Sequence, residues 1–191
     1  MIIGICGANR AGKNTVGHIL SRELHKRGLT NEQFAFADAL YDMCNYIFNT
    51  PPKADCEKYG ILKEMKSSTW GNKTVRDVLI ATGAFCRSIH PDYWVDCLKH
   101  RIEMYSKDVY IITDVRFRNE ADMCDSVIRV NRPGFSENVG DLEENPNIWD
   151  DYFYVDNKGT IEDMQPLVRS YCDFVEDHLQ DRSRHYVNPM P

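Results

Sequence analysis

What the chain lacks narrows its class first. No apolar run approaches the roughly 18 residues that a membrane span requires, and the opening Met-Ile-Ile-Gly carries neither a basic leader nor a small-residue cleavage site. A cytoplasmic protein without a membrane partner is expected. There is no C-x-x-C pair either: Cys6, Cys44, Cys56, Cys86, Cys97, Cys124 and Cys172 are odd in number and scattered. That pattern indicates neither a zinc site nor a redox dithiol, and buried free thiols in a reducing compartment are expected. An excess of positive charge is missing as well. Lys and Arg total 23 against 29 Asp and Glu, a formal net charge of -6, which argues against a nucleic-acid polymer as partner, because that binding rests on concentrated basic side chains. The six histidines show no metal-ligand spacing, and no Ser-His-Asp or Cys-His pairing, internal repeat or low-complexity segment is legible.

What is present is an ordinary globular composition, 42% hydrophobic and 27% charged over 191 residues, enough chain to bury one core. A single domain over 1–191 is expected. Residues 2–6 form an apolar run, and Val16, Ile19, Leu20 and Leu24 then recur at helical spacing up to Gly28. A short strand is predicted at 34–37, followed by a helix that Asp38 would cap, carrying Leu40, Met43, Cys44 and Ile47 to the break at Pro51-Pro52. Residues 52–72 are polar and weakly periodic, with Gly71-Asn72 marking a turn. Two helices are predicted at 74–88 and 91–105, the second with proline at its start. Buried strands are predicted at 109–113 and 127–130, a last strand at 153–155, and a closing amphipathic helix at 160–178 with a frayed tail after Asp181. Between them Arg132-Pro133-Gly134 opens a stretch holding Glu137, Asp141, Glu143, Glu144, Asp150 and Asp151 and no basic residue before Tyr152, which makes 132–151 a candidate mobile lid. Strands separated by helices imply a parallel sheet, so the expected fold class is α/β, doubly wound, with about five parallel strands flanked by helices.

The segment Gly7-Ala8-Asn9-Arg10-Ala11-Gly12-Lys13-Asn14-Thr15 lies between the first strand and the first helix, the context a phosphate-binding P-loop requires. Such a loop points backbone N–H groups at a polyphosphate, adds the positive end of a helix, and lets Lys13 reach the β- and γ-phosphates. The hydroxyl that usually follows the lysine arrives one position late: Asn14 intervenes before Thr15. In this the loop resembles that of the adenylate kinases, where the metal is held mainly through water and phosphate oxygens and the threonine lies near the α-phosphate. Asp114 directly follows a buried strand, where a carboxylate can hold Mg²⁺ or its waters or can cap the next helix; joined to the loop, the metal role is favoured. Arg87, Arg116, Arg118 and Arg132 stand where an acceptor phosphate could be gripped, and Arg10 could lie across the donor phosphates. Tyr93-Trp94 can stack on a base or pack a helix start; packing is favoured, with Trp94 kept as a candidate substrate contact.

Taken in order, several blocks resemble the bacteriophage-type deoxynucleoside monophosphate kinases, a P-loop family. Gly12-Lys13-Asn14-Thr15 is similar to the end of their P-loop, Phe36-Ala37-Asp38-Ala39-Leu40 to the opening of their second helix, and Val75-Arg76-Asp77-Val78-Leu79 through Gly83 and Arg87 to Tyr93-Trp94-Val95 to their helical block. Asp114-Val115-Arg116-Phe117-Arg118-Asn119-Glu120, Asn131-Arg132-Pro133-Gly134 and Asp156-Asn157-Lys158-Gly159-Thr160 complete a set that spans most of 1–179. Asn14 replaces the family's Asp, Tyr41 stands where a Lys is frequent, and Gly83-Ala84 replaces a frequent Gly-Thr. The resemblance implies ATP and Mg²⁺, a deoxynucleoside monophosphate as the small-molecule acceptor, an acceptor-binding helical region at 38–106, and a location in the host cytoplasm if phage-encoded. It implies donor binding by residues 7–15, metal binding by Asp114 and Thr15, acceptor contacts from Asp38, Arg87, Trp94 and Arg116, and phosphoryl transfer assisted by Lys13, Arg87, Arg116, Asp114 and Arg132. Base, sugar and oligomeric state stay open, a homodimer included. So do two other functions: a kinase for another small acceptor such as dephospho-coenzyme A, and a nucleotide-bound switch.

Overall fold

The structure is a computed structural model and describes residues 1–134 and 152–186, the last five of these by backbone alone. Of the expected lid at 132–151, only Arg132, Pro133 and Gly134 fall among the described residues. The chain divides into two compact units, Met1–Phe34 with Ser106–Pro191, and Ala35–Tyr105.

The first unit holds a five-stranded sheet. Its strands are β1 (Ile2–Cys6), β2 (Asn31–Phe34), β5 (Val109–Ile112), β6 (Ser126–Asn131) and β7 (Tyr152–Asp156), in the order β2-β5-β1-β6-β7. Every pairing is parallel, so the sheet is the doubly wound α/β arrangement that the alternation of patterns predicts. Helices α1 (Lys13–Lys26) and α7 (Ile161–Tyr186) belong to this unit, as does the short α6 (Arg118–Asp122). Alternation along the strands directs Ile3, Ile5, Ile111, Ile128 and Val130 into one core with Val16, Leu20 and Leu24 of α1 and Val168, Tyr171, Cys172 and Val175 of α7. The helical members recur every three or four residues, which places them on one face of each helix. Thr160 caps α7, its hydroxyl accepting from the Asp163 amide at 3.2 Å and donating to the Asp163 carboxylate at 2.8 Å.

β2 lies N-terminal to its expected position at 34–37. It is an edge strand paired only with β5, from Asn31↔Val109 to Phe34↔Ile112. Asn31, Glu32 and Gln33 are half-buried, so its exposed side tolerates polar residues and no apolar run marks it. β5 stops at Ile112, one residue early, where the Thr113 amide turns to the Phe34 carbonyl at 3.0 Å. Helix α7 runs past the expected fraying point to Tyr186.

The second unit holds α2 (Ala37–Phe48), α3 (Lys53–Lys58), a 3₁₀ turn at Gly60–Glu64, a small antiparallel hairpin of β3 (Lys66–Ser67) and β4 (Lys73–Thr74), α4 (Val75–Ile89) and α5 (Tyr93–Glu103). Tyr41, Cys44, Cys56, Val75 and Leu79 form its core. α2 ends at Asn49 in the left-handed region, just before Pro51-Pro52. Gly71 and Asn72, both at positive φ, make the hairpin turn. Thr74 and Asp77 close a capping box at the start of α4. α5 opens at Tyr93 rather than at Pro91, because Pro91 and Asp92 form a turn closed by the Tyr93 amide on the His90 carbonyl at 3.0 Å. All seven cysteines are free, and Cys97 alone is not buried. Among the described residues no helix is long and apolar enough to cross a membrane.

Candidate functional site

β1 is the central strand, and its neighbours β5 and β6 leave it on opposite sides. Their loops therefore diverge beyond the carboxyl end of β1, where an open α/β sheet forms its ligand crevice. The glycine-rich segment starts there. Gly7 has φ of 134°, and a Cβ on it would stand 2.4 Å from the Val130 carbonyl oxygen, so only hydrogen fits between this residue and β6. Gly12, the residue before α1, has φ of 105°, and its Cβ would meet the Asn157 Nδ2 at 2.6 Å. Arg10 lies between them in the left-handed region with φ of 64°.

The loop's carbonyls are held by donors. Lys13 Nζ donates to the Gly7 carbonyl at 2.6 Å and the Ala8 carbonyl at 2.9 Å, laying the lysine along the loop. The Ala11 amide also donates to the Ala8 carbonyl at 3.1 Å, and the Val16 amide to Gly12 at 3.0 Å. Arg132 Nη1 donates to the Arg10 carbonyl at 3.0 Å, and Asn157 Nδ2 to the Ala11 carbonyl at 2.7 Å. Gly7, Ala8 and Ala11 are buried, Gly12, Lys13 and Thr15 are half-buried, and Asn9, Arg10 and Asn14 are exposed. The first turn of α1 carries no acidic residue, so nothing there offsets the positive end of the helix.

Two turns flank this loop. After β5 the Val115 amide donates to the Ile5 carbonyl at 3.1 Å, which ties the turn carrying Asp114 to β1. Glu120, only 2% exposed, accepts from the amides of Arg116 at 2.8 Å and Phe117 at 3.2 Å. A buried carboxylate thus shapes the turn from which Asp114 and Arg116, both half-buried, project. Arg118 is engaged on the surface of α6 with Asp122 at 2.8 Å. After β6 and β7, a pocket of about 390 Å³ is lined by Ala8, Val130, Asn131, Arg132, Pro133, Asp156 and Lys158, within the size range of small-ligand sites.

No family model matches the chain, and no curated protein matches it. Among solved structures it is similar to an unliganded sugar kinase from Janibacter sp. HTCC2649, at 15% identity over 90% of this chain and 94% of that one, with a TM-score of 0.41. It is also similar to shikimate kinase from Aquifex aeolicus vf5, at 15% identity over 98% of this chain and 99% of that one, with a TM-score of 0.38.

The remaining candidates belong to the second unit. Arg87 is half-buried in the last turn of α4. Asp38 sits in the first turn of α2 rather than at its cap; its carboxylate accepts from the Ala35 amide at 2.9 Å and pairs with Lys53, with Arg101 at 3.8 Å. Trp94 is 2% exposed, and its indole N–H donates to the Gly83 carbonyl at 3.2 Å. This side chain offers no stacking face; it packs α5 against α4, which corrects its candidacy as a base contact. Tyr41 is likewise a core residue. Neither Asn157 nor Glu120 has a role legible in the sequence; the fold alone shows Asn157 on the Ala11 carbonyl and Glu120 under the Arg116 and Phe117 amides.

Proposed function

We propose that this chain is a P-loop kinase that transfers the γ-phosphoryl group of ATP to a deoxynucleoside 5'-monophosphate, giving ADP and a deoxynucleoside diphosphate. The observation that carries the reading is the loop from Gly7 to Lys13: a glycine turn at positive φ beyond the central strand, its carbonyls engaged by donors, opening onto a helix whose first turn holds no acidic residue, with Lys13 across it. With these carbonyls engaged, the loop's N–H groups other than that of Ala11, which is bonded to the Ala8 carbonyl, are its resource for an anion. The choice of acceptor rests on the resemblance of the ordered blocks in the sequence.

On this reading Lys13 and the amides of residues 7–15 hold the triphosphate, with Arg10 lying over it, and the pocket beside Ala8 receives the nucleoside part of ATP. Asp114 and Thr15 are oxygen donors of the kind Mg²⁺ takes, and the ion keeps most of its ligands as water and phosphate oxygens. When bound, it neutralises charge on the β- and γ-phosphates. Arg116 and Arg132 hold the acceptor phosphate in line and screen its charge, and the resemblance of the 75–95 block assigns Arg87 to the acceptor as well. One acceptor phosphate oxygen, already anionic, bonds to the γ-phosphorus while the bond from that phosphorus to the β–γ bridging oxygen breaks. The electron pair leaves with ADP. No general base is needed.

The test is ADP release from ATP and Mg²⁺ with a panel of nucleoside and deoxynucleoside monophosphates and dephospho-coenzyme A. Release that depends on a deoxynucleoside monophosphate is expected. Release with dephospho-coenzyme A alone moves the chain to another acceptor, and nucleotide binding without acceptor-dependent release makes it a switch.

A further inference from the structure

Asn157 is a buried polar residue that joins the turn after β7 to the phosphate loop and to the end of β6. It is 5% exposed. Its Nδ2 donates to the Ala11 carbonyl at 2.7 Å, its Oδ1 accepts from the Gly159 amide at 3.0 Å, and its own amide donates to the Asn131 carbonyl at 2.7 Å. The same Nδ2 occupies the space that a Cβ on Gly12 would need. One carboxamide therefore fixes the direction of the Ala11 peptide, fills the place where a Gly12 Cβ would lie, and is itself fixed by the turn after β7. Its chain neighbours Asp156 and Lys158, with Asn131, line the pocket beside the loop.

We propose that Asn157 is a positioning residue for the phosphate loop: it holds the backbone at Ala11 and Gly12 in the shape that receives a triphosphate, and it does so from the turn that walls the adjacent pocket. This rests on the reading of residues 7–15 as a triphosphate site. A carboxamide is the suitable group, because the position needs a donor toward Ala11 and an acceptor toward Gly159, and Asn supplies both from one planar end. The role is indirect: Asn157 acts through the Ala11 peptide.

The experiment compares wild type, Asn157→Ala, Asn157→Asp and Val168→Ala by calorimetric titration with a non-hydrolysable ATP analogue and with inorganic tripolyphosphate, alongside thermal unfolding. Val168 is fully buried on α7, an apolar side chain with no hydrogen bond to give the loop, and its truncation controls for lost stability. Asn157→Ala is expected to weaken both probes about ten-fold or more, the ratio that ~1.4 kcal/mol gives, whereas Val168→Ala lowers the melting temperature and leaves both affinities unchanged. In Asn157→Asp the carboxylate faces the Ala11 carbonyl without a proton to donate, so binding relative to wild type is weak at neutral pH and recovers in mild acid as the carboxyl protonates. Asn157→Ala shows no such recovery. Wild-type binding with an unchanged Asn157→Ala affinity, an equal loss in Val168→Ala, or a flat pH response in Asn157→Asp overturns the positioning role and leaves the triphosphate site standing. A wild type that binds neither probe removes the triphosphate site and this role with it.

Discussion

Replacing Gly7 with alanine tests the geometry of the loop most sharply. Two costs act at that residue. Its φ of 134° lies where an L side chain is strained, worth about 1–3 kcal/mol. The new Cβ would also lie 2.4 Å from the Val130 carbonyl oxygen, and such overpacking adds about 1–3 kcal/mol. Val130 cannot yield easily, because it is buried in β6 and pairs with Val155 of β7. The loop must move instead. Together the costs reach roughly 2–6 kcal/mol, which lowers the melting temperature by on the order of 10 °C in a chain of this size. Gly28→Ala is the matched control: its φ is 79°, but nothing lies within 4 Å of its Cβ, so it carries the backbone cost alone. Thermal unfolding followed by circular dichroism, with titration of an ATP analogue, should show the larger loss and weakened binding in Gly7→Ala, and only a smaller loss in Gly28→Ala. Equal melting temperatures for the two variants, or undiminished analogue binding by Gly7→Ala, would refute the reasoning.

Other changes separate the parts of the site. Lys13→Ala should abolish turnover in a steady-state assay and leave the fold intact by circular dichroism, since the side chain is half-buried and its bonds to Gly7 and Ala8 are to backbone carbonyls. Arg87→Ala should lower kcat/KM for the acceptor about ten- to a hundred-fold, the loss of a charge-assisted hydrogen bond worth roughly 1.5–3 kcal/mol, and spare ATP-analogue binding; lysine should rescue only in part. Glu120→Ala strips the acceptor from the Arg116 and Phe117 amides, so denaturant unfolding should register a loss of about 1–3 kcal/mol. Glu23, 5% exposed, is held below the usual carboxylate range chiefly by its hydrogen bond from Lys26, against the cost of burial, with Arg169 helping. A depressed folded value means that its stabilisation is present above the ordinary carboxylate range and is lost as pH falls through the folded value. Melting temperature should therefore decline on acidification, and Glu23→Gln should flatten that decline.

Much of the fold was legible because its cues are local. The central strands β1 and β5 are continuous apolar runs, β6 is apolar from Val127 to Val130 except for Arg129, and Thr74 with Asp77 marks the start of α4 within four consecutive residues. β2 was misplaced because an edge strand tolerates Asn31, Glu32 and Gln33 on its open side. Residues 52–72 hid α3, two 3₁₀ turns at Gly60–Glu64 and Ser68–Trp70, and the first strand of a hairpin, elements too short to show a period. The same contrast runs through the site. Residues 7–15 form one contiguous motif in a readable context. Asn157 stands 146 residues from the carbonyl it holds, and the tertiary approach of two turns leaves no local signature. Trp94 shows the opposite limit: an aromatic beside a helix start favours packing but leaves a stacking platform open until its indole N–H is seen on the Gly83 carbonyl.

The most direct test follows the transferred group itself. ATP labelled at the γ-phosphate, with Mg²⁺ and a deoxynucleoside monophosphate, should pass its label to the β-position of the deoxynucleoside diphosphate with wild-type protein and not with Lys13→Ala. Label that stays in ATP, or appears solely as inorganic phosphate whichever monophosphate is supplied, would contradict a nucleotide kinase.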